Sequence, residues 1–292
     1  MKISLYLMTI KGYEVLKILI ANKFTPNIDK VIIGLDKAVV KDYSEELIEL
    51  CIKNNIVYYL ANEKYKINST YALAISWKWL IDNKECKMIV LHDSILPKYR
   101  GFAPLVNSLI NREEFIGVTA FFATSEYDKG EIILQRKIQI NYPIKINDAI
   151  SKINLLYSEI TLEIFNKIIS NEPLITYSIN EENATYCLWR DSEDYFINWN
   201  DPSGKIIRLI DAVGFPYMGA RCRIDSEIVI IINASEVDDL VIENRDAGKV
   251  IFIENSKPIV VCGQGLLRID EAIYETSKKS IFPLKKFRTR FK

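Results

Sequence analysis

The sequence predicts a parallel α/β domain followed by a small, mostly β domain. From Ile3 to about Ile140, short apolar runs of strand length alternate with amphipathic stretches, the pattern left by strands joined through crossover segments. From Asn147 to Ser170, Ile150, Ile153, Leu156, Ile160, Ile164 and Ile168 recur at helical spacing, so this segment can pack along a sheet. The second domain is predicted by a change of composition near Asn171: the stretch Asn171 to Asn183 is polar and carries Pro173, and beyond it short β-rich runs recur between turn residues.

Strands are expected at Ile3 to Met8, Lys30 to Leu35, Ile56 to Leu60, Tyr71 to Ile75, Met88 to His92, Gly117 to Ala123 and Ile132 to Ile140. Ser44 to Asn54 reads as a helix: Ser44 can cap it, Glu45 and Glu46 suit its positive end, and Leu47, Leu50 and Cys51 share a face. The turn after the first strand reads TIKGYEV, with only Gly12 where a dinucleotide fold needs G-x-G-x-x-G, and no phosphate-loop motif occurs. Further on, Gly204 to Val213 reads as a short helix. It is followed by strand-like runs at Arg221 to Ile224, Glu227 to Ile232, Lys249 to Ile253, Pro258 to Val261 and Gly265 to Ile273, a pattern suited to a Greek-key barrel. The expected division is a first domain over 1–175, a linker over 176–202 and a small β-rich domain over 203–292. The terminal KKFRTRFK reads as a solvated basic tail.

Charges balance, with 38 basic and 38 acidic residues, so no global field draws the chain to nucleic acid or an anionic membrane, and a small-molecule partner is favoured. The cysteines Cys51, Cys86, Cys187, Cys222 and Cys262 are scattered, without a C-x-x-C pair or a neighbouring histidine. Neither a zinc site nor a redox motif is supported, and the pattern fits buried free thiols in a reducing compartment. The opening ISLYLM lacks the features of a signal peptide, and no run approaches the roughly 18 apolar residues of a membrane span. A soluble, cytoplasmic protein is expected.

His92 is the single histidine of 292 residues. Alternation along Met88 to His92 puts Met88, Val90 and His92 on one face. At the carboxyl end of a central strand, His92 points into the cleft where open α/β folds bind ligands. The loop Ser94 to Gly101 is stiffened by Pro97 and Gly101 before a helix near Ala103-Pro104. A later turn, ATSEYDKGE, carries Asp128 and Gly130. An acid facing His92 would orient its ring and balance its charge, giving a general base. Read from the residues alone, a hydrogen-bonded core histidine and an ordinary turn aspartate remain the alternative.

The stretches LHDSILPKYRG-x-APL, GVTAFF and YDKGEII resemble the folate-dependent formyltransferases, whose signature runs N-x-H-x-S-L-L-P-x-x-R-G-x-x-P, then G-V-T, then D-x-G-D/E-I. INW at Ile197 to Trp199 and the following IIRLIDAVGFPYMGA resemble the start of the family's small β domain, where the pattern is closer to P-x-P-G-A. The resemblance implies a Rossmann-like formyltransferase domain with a mostly parallel sheet and an OB-like C-terminal domain. It also implies transfer of a formyl group from 10-formyltetrahydrofolate to an amine without a metal, with His92 as general base and Asp128 orienting it. On the same ground folate is expected against Ser76, Trp77, Leu96, Phe122 and Asp128, and the acceptor against Lys78 and Arg100. One position departs. The family's asparagine two residues before the histidine helps polarise the formyl oxygen, and here it is Val90, which donates nothing. Loss of one such donor typically costs about 10² to 10³ in rate.

Members of the family formylate methionyl-tRNA, a purine-pathway glycinamide or amino groups of nucleotide-linked sugars. A tRNA reader needs a cationic footprint, yet after the second strand this chain has only GLDKAVVKDYSEE, without a basic insertion. The glycinamide enzymes lack a β appendage of this size. The acceptor expected is therefore a UDP- or dTDP-linked amino-deoxy sugar of cell-surface glycan synthesis, its diphosphate held by Lys78 in the segment Ser76 to Trp79, with no nucleic acid or membrane partner. Trp77 and Trp79 as helix packing is the plainer reading of that segment. A methionyl-tRNA formyltransferase and an inactive folate or sugar-nucleotide binding homologue remain as alternatives, and the β domain offers edges through which a homodimer could pair.

Overall fold

The computed structural model describes residues 1–81 and 86–292, and they divide into two compact units. The first comprises Met1–Leu105, Glu114–Ile140 and Asp148–Leu188. Its strands are β1 (Ile3–Leu7), β2 (Ile28–Ile33), β3 (Tyr58–Leu60), β4 (Tyr71–Ile75), β5 (Lys87–His92), the two-residue β6 (Arg100–Gly101), β7 (Phe115–Phe122), β8 (Ile132–Gln139) and the two-residue β9 (Tyr186–Cys187). Seven of them form one sheet in the order β3-β2-β1-β4-β5-β7-β8, while β6 pairs with β9. From β3 to β5 neighbouring strands run parallel, and β7 and β8 add an antiparallel edge. The sheet is thus mostly parallel, as the apolar runs predict. β1 is buried at all five residues, as expected of a strand covered on both faces.

Helix α1 (Thr9–Ala21) follows β1, α2 (Ser44–Lys53) follows β2, α3 (Pro104–Ile110) follows β6 and α4 (Ile146–Ile169) follows β8. In α4 the buried residues Ile150, Ile153, Leu156, Ile160, Ile164 and Ile168 keep the helical period seen in the sequence. The start of α2 corrects an expectation. Tyr43, in a left-handed conformation with φ 63°, is the cap position, and Ser44 lies inside the first turn. Capping is supplied by Asp42, whose Oδ1 accepts from the Ser44 amide at 3.0 Å and hydroxyl at 2.8 Å.

Strand register puts one row of side chains across the sheet. Ile32 pairs with Tyr6, Tyr6 with Ala74, Ala74 with Val90 and Val90 with Phe121. Partners in register share a face, so this row and the next, His92 beside Thr119, look out on the same side. Among the described residues no helix lies between β3 and β4 or between β4 and β5. The face is instead bordered by the coil segments that follow β3 and β4.

The second unit comprises Val106–Glu113, Asn141–Asn147 and Trp189–Lys292. After α5 (Ser203–Ala212) come β10 (Ala220–Ile224), β11 (Glu227–Val237), β12 (Val250–Glu254), β13 (Lys257–Val261) and β14 (Leu266–Tyr274), an antiparallel sheet ordered β10-β11-β14-β13-β12. The basic segment near residue 292 is not the solvated tail expected. Arg223 and Lys292 exchange backbone hydrogen bonds at 2.7 and 2.9 Å, the Phe291 amide donates to Gly248 at 2.8 Å, and the Val250 amide donates to Thr289 at 3.2 Å. The segment thereby ties β10 to the opposite edge beside β12, covering two edges that would otherwise face solvent. Phe291 is buried, with its ring centroid 5.5 Å from that of Trp199. Among the described residues no helix is long and apolar enough to cross a membrane.

Candidate active site

His92 ends β5 and is 9 % exposed. Its Nε2–H donates to the Tyr99 carbonyl at 2.9 Å, which sets the neutral tautomer and leaves the lone pair on Nδ1. Nδ1 faces Asp128 Oδ2 at 3.7 Å, longer than a hydrogen bond, so it is the ring nitrogen able to take a proton. Asp128 Oδ2 in turn accepts the Gly101 amide at 2.7 Å. Asp128 has φ 52°, a left-handed conformation that aspartate tolerates. Two residues on, a Cβ at Gly130 would lie 1.5 Å from the Phe122 carbonyl oxygen, so the turn that presents Asp128 requires glycine there.

The loop after β5 is fixed by polar contacts. Thr119, fully buried on β7, donates its hydroxyl to the Ser94 carbonyl at 2.7 Å and accepts from the Leu96 amide at 3.2 Å and from Gln135 Nε2 at 2.8 Å. All three hydrogen-bonding positions of that hydroxyl are used. Farther along, the Tyr99 amide donates to Thr185 Oγ1 at 2.8 Å. The Arg100 guanidinium, fully buried, grips Glu181 with two bonds of 2.6 and 2.8 Å. The hydrogen bond to Glu181 pushes Arg100 above its usual pKa, and the same bond holds the Glu181 carboxyl below the usual carboxylate range. Arg100, expected at the acceptor, is here committed to the protein.

Asp93 turns away from His92, as strand alternation requires. It pairs with the buried Lys11 of α1 and with the hydroxyl of Tyr157 of α4, which also reaches the Leu91 carbonyl at 3.1 Å. Val90, by contrast, lies on the His92 face. It packs against the cluster of Leu96, Phe121 and Ile132 and equally against that of Tyr6, Ile67, Ala72 and Ala74. Its surroundings are apolar on both sides.

The residues expected around folate fall in three places. Leu96 and Asp128 are in the loop and turn beside His92. Phe122 pairs with Ile89, which puts it on the opposite face of the sheet; Phe121, its neighbour, is the ring in the row with Val90. Ser76 and Trp77 lie at the end of β4, where Ser76 Oγ accepts from Thr9 Oγ1 at 3.1 Å. Trp77 and Lys78 line a cavity of about 890 Å³ together with Tyr6, Asp36, Tyr65 and Trp79, and neither His92 nor Asp128 is part of its lining. Lys78 is paired with Asp36 at 2.6 Å. Trp77 and Trp79 lie outside any helix, with ring centroids 5.1 Å apart at 81°. Among the described residues no group of three or more His, Cys, Asp or Glu side chains is placed to hold a metal ion.

Thr119, Phe121 and the backbone groups of Tyr99 and Gly101 are absent from the sequence-based set. Parity puts Thr119 and Phe121 on one face of their strand, and the register with β5 makes it the face of Val90 and His92.

Comparison with known proteins follows this geometry. Residues 55–155 match the formyl transferase family and residues 190–287 match the formyl transferase C-terminal domain. A methionyl-tRNA formyltransferase of Thermodesulfovibrio yellowstonii is 30 % identical over 226 residues, which cover 76 % of this chain and 70 % of that protein. The chain belongs to the formyltransferase family. Of two further curated formyltransferases it spans 59 % of the length. Two solved formyltransferases share the fold. One is WlaRD, a sugar 3N-formyltransferase crystallised with dTDP and 5-N-formyl-THF, with TM-score 0.68 and 21 % identity over 98 % of each chain. The other is an N-formyltransferase from Helicobacter canadensis in complex with folinic acid and dTDP-3-aminofucose, with TM-score 0.64 and 19 % identity over 92 % of this chain and 98 % of that one. Within this formyltransferase, the resemblance read from the LPKYRG and YDKGE motifs and the two-part fold both stand.

Proposed function

We propose that the chain is an N-formyltransferase that moves the formyl group of 10-formyltetrahydrofolate to the amino group of a nucleotide-linked amino-deoxy sugar. The observation that carries this reading is the orientation of His92: the Tyr99 carbonyl holds the proton on Nε2, so Nδ1 presents a lone pair beside the Asp128 carboxylate. Nδ1 accepts the proton lost by the amine as it attacks the formyl carbon, Asp128 faces the resulting imidazolium, and the proton returns to the departing folate nitrogen. The imidazolium is also a cation able to stabilise charge developing on the formyl oxygen, where the chain has Val90 in place of the family's asparagine. Leu96 and Phe121 supply the apolar wall of this end of the site.

A balanced net charge and the near full-length likeness to two sugar formyltransferases support the amino-sugar acceptor. The curated relatives favour methionyl-tRNA as the second reading. Incubation of the purified chain with 10-formyltetrahydrofolate and a panel of UDP- and dTDP-linked amino sugars, with methionyl-tRNA alongside, separates the two. Turnover with an amino-sugar nucleotide is expected; turnover with methionyl-tRNA alone would replace that acceptor, and folate binding with no turnover on any amine would mark an inactive homologue.

A further inference from the structure

His92 has two acceptors beside its ring and, when neutral, one ring proton to give. The Tyr99 carbonyl takes that proton from Nε2 over 2.9 Å, while Asp128 Oδ2 lies 3.7 Å from Nδ1. A carboxylate is the stronger acceptor. A proton drawn to Nδ1 would occupy the lone pair that the proposed reaction uses. The ring therefore serves as base only while the carbonyl is held in line and the carboxylate is held off.

Both conditions trace to the short pair of β6 and β9. The Tyr99–Arg100 peptide is planar and trans, so its carbonyl and its amide point in opposite directions. The carbonyl meets His92, and the amide donates to the Thr185 carbonyl at 2.9 Å. The preceding amide, that of Tyr99, donates to Thr185 Oγ1 at 2.8 Å. Thr185 thus holds the peptide groups on either side of the Tyr99 Cα. Tyr99 needs holding: its φ is 62°, in the left-handed region that bulky side chains avoid. One residue on, the Gly101 amide donates to Asp128 Oδ2 at 2.7 Å and so engages the oxygen that faces Nδ1. Gly101 has φ 95°, and a Cβ there would lie 2.5 Å from the Cys187 carbonyl oxygen, so β6 and β9 approach this closely only with glycine.

We infer that Thr185 is a positioning residue for His92: through the Tyr99–Arg100 peptide it keeps the ring proton on Nε2 and leaves Nδ1 as the base. Thr185 lies between α4 and α5, apart from the LPKYRG and YDKGE motifs, and its side chain is exposed. It acts through the Tyr99 backbone rather than on the reacting groups. The inference rests on the proposed function for its kinetic consequence alone, because the place of the ring proton is a property of the resting chain.

His92 is the single histidine, so the full chain, labelled at histidine with the NMR-active nitrogen isotope and purified without a histidine tag, gives the ring signals of one imidazole. At alkaline pH wild type is expected to show a protonated Nε2 and a bare Nδ1. Thr185→Val keeps the branched shape and offers no acceptor, so its two signals should move toward each other as the form protonated at Nδ1 gains population. Its kcat for the amino-sugar nucleotide should fall about three- to tenfold, with KM, folinic acid affinity and melting temperature kept, and Thr185→Ser should restore both signals and rate. The loss is bounded because the Arg100 amide still has the backbone carbonyl of residue 185. Ring signals in Thr185→Val identical to those of wild type would overturn the inference whether or not the rate falls, and so would a wild-type ring with its proton on Nδ1. A wild-type chain that formylates no amine would remove the proposed function, while the ring signals would still decide the hold of Thr185 on His92.

Discussion

The segments after β4 and β5 leave neighbouring parallel strands and are held by opposite means. After β5, Thr119, Gln135, Thr185, Glu181 and Asp128 reach back to the loop, so the carbonyls and amides that frame His92 are fixed one by one. After β4, Trp77, Lys78 and Trp79 are held by ring contacts and the Lys78–Asp36 ion pair around an open cavity. The difference separates two tasks. A reacting group needs its geometry set in advance, and the tied loop supplies that. A binding wall needs ring faces left over for a ligand, and in the β4 segment Trp77 and Trp79 line the cavity.

Disturbing the tied loop should cost stability and activity together, and the largest effect is expected from Gly130→Ala. Its Cβ cannot coexist with the Phe122 carbonyl at 1.5 Å, so the turn must move and Asp128 must leave the Gly101 amide. A loss of about 3 kcal/mol in stability is expected, with formyl transfer down by about 10² or more. A melting curve and turnover like those of wild type would refute the role given to this turn.

Val90→Asn comes next. The amide would enter apolar surroundings on both sides, which costs about 1–3 kcal/mol without a partner, and kcat should stay level or fall. A rise in kcat would show that valine is a plain loss at the oxyanion position and that the site has not been rebuilt around it.

Glu181→Gln should lower the melting temperature less than Gly130→Ala, because Glu181 is largely exposed and water can replace part of what the fully buried Arg100 loses. The Glu181 carboxyl is held below the usual carboxylate range by Arg100. Its contribution is therefore full above that range and is lost as pH falls through the lowered value, so the gap between wild type and variant should be flat near neutrality and close on acidification. A gap that widens in acid would contradict the pair.

The smallest effect is chemical. Burial pushes the thiols of Cys51 and Cys262 up to about 12 and that of Cys86 up to about 11, so at pH 8 almost none is thiolate. A thiol reagent should label the folded chain slowly, beginning with half-buried Cys86, and reach all five cysteines only on unfolding. Rapid labelling of the folded chain would be contrary.

Strands and α4 were legible because parallel strands read as apolar runs and a long helix repeats its period, so most boundaries lie within two residues of those expected. The His92 and Asp128 pairing was legible through motifs carried on one contiguous stretch. What was hidden depends on partners distant in sequence or on backbone atoms. Arg100 meets Glu181 from another segment, and Nε2 of His92 is set by a carbonyl that any residue could supply. Phe121 rather than Phe122 shares the Val90 face only once β7 is known to lie antiparallel to β5. Phe291 joins the core from within a basic stretch whose charges suggested solvent. The cavity borders crossover segments that carry no helix among the described residues, which no motif announces.

The most direct test of His92 as the base of a formyl transfer is a single-turnover measurement on wild type and His92→Asn, with folinic acid affinity measured on the same samples. The variant is expected to keep its folate affinity while transfer to the amino acceptor falls by about 10² to 10⁴. Transfer at the wild-type rate by His92→Asn would contradict the assignment.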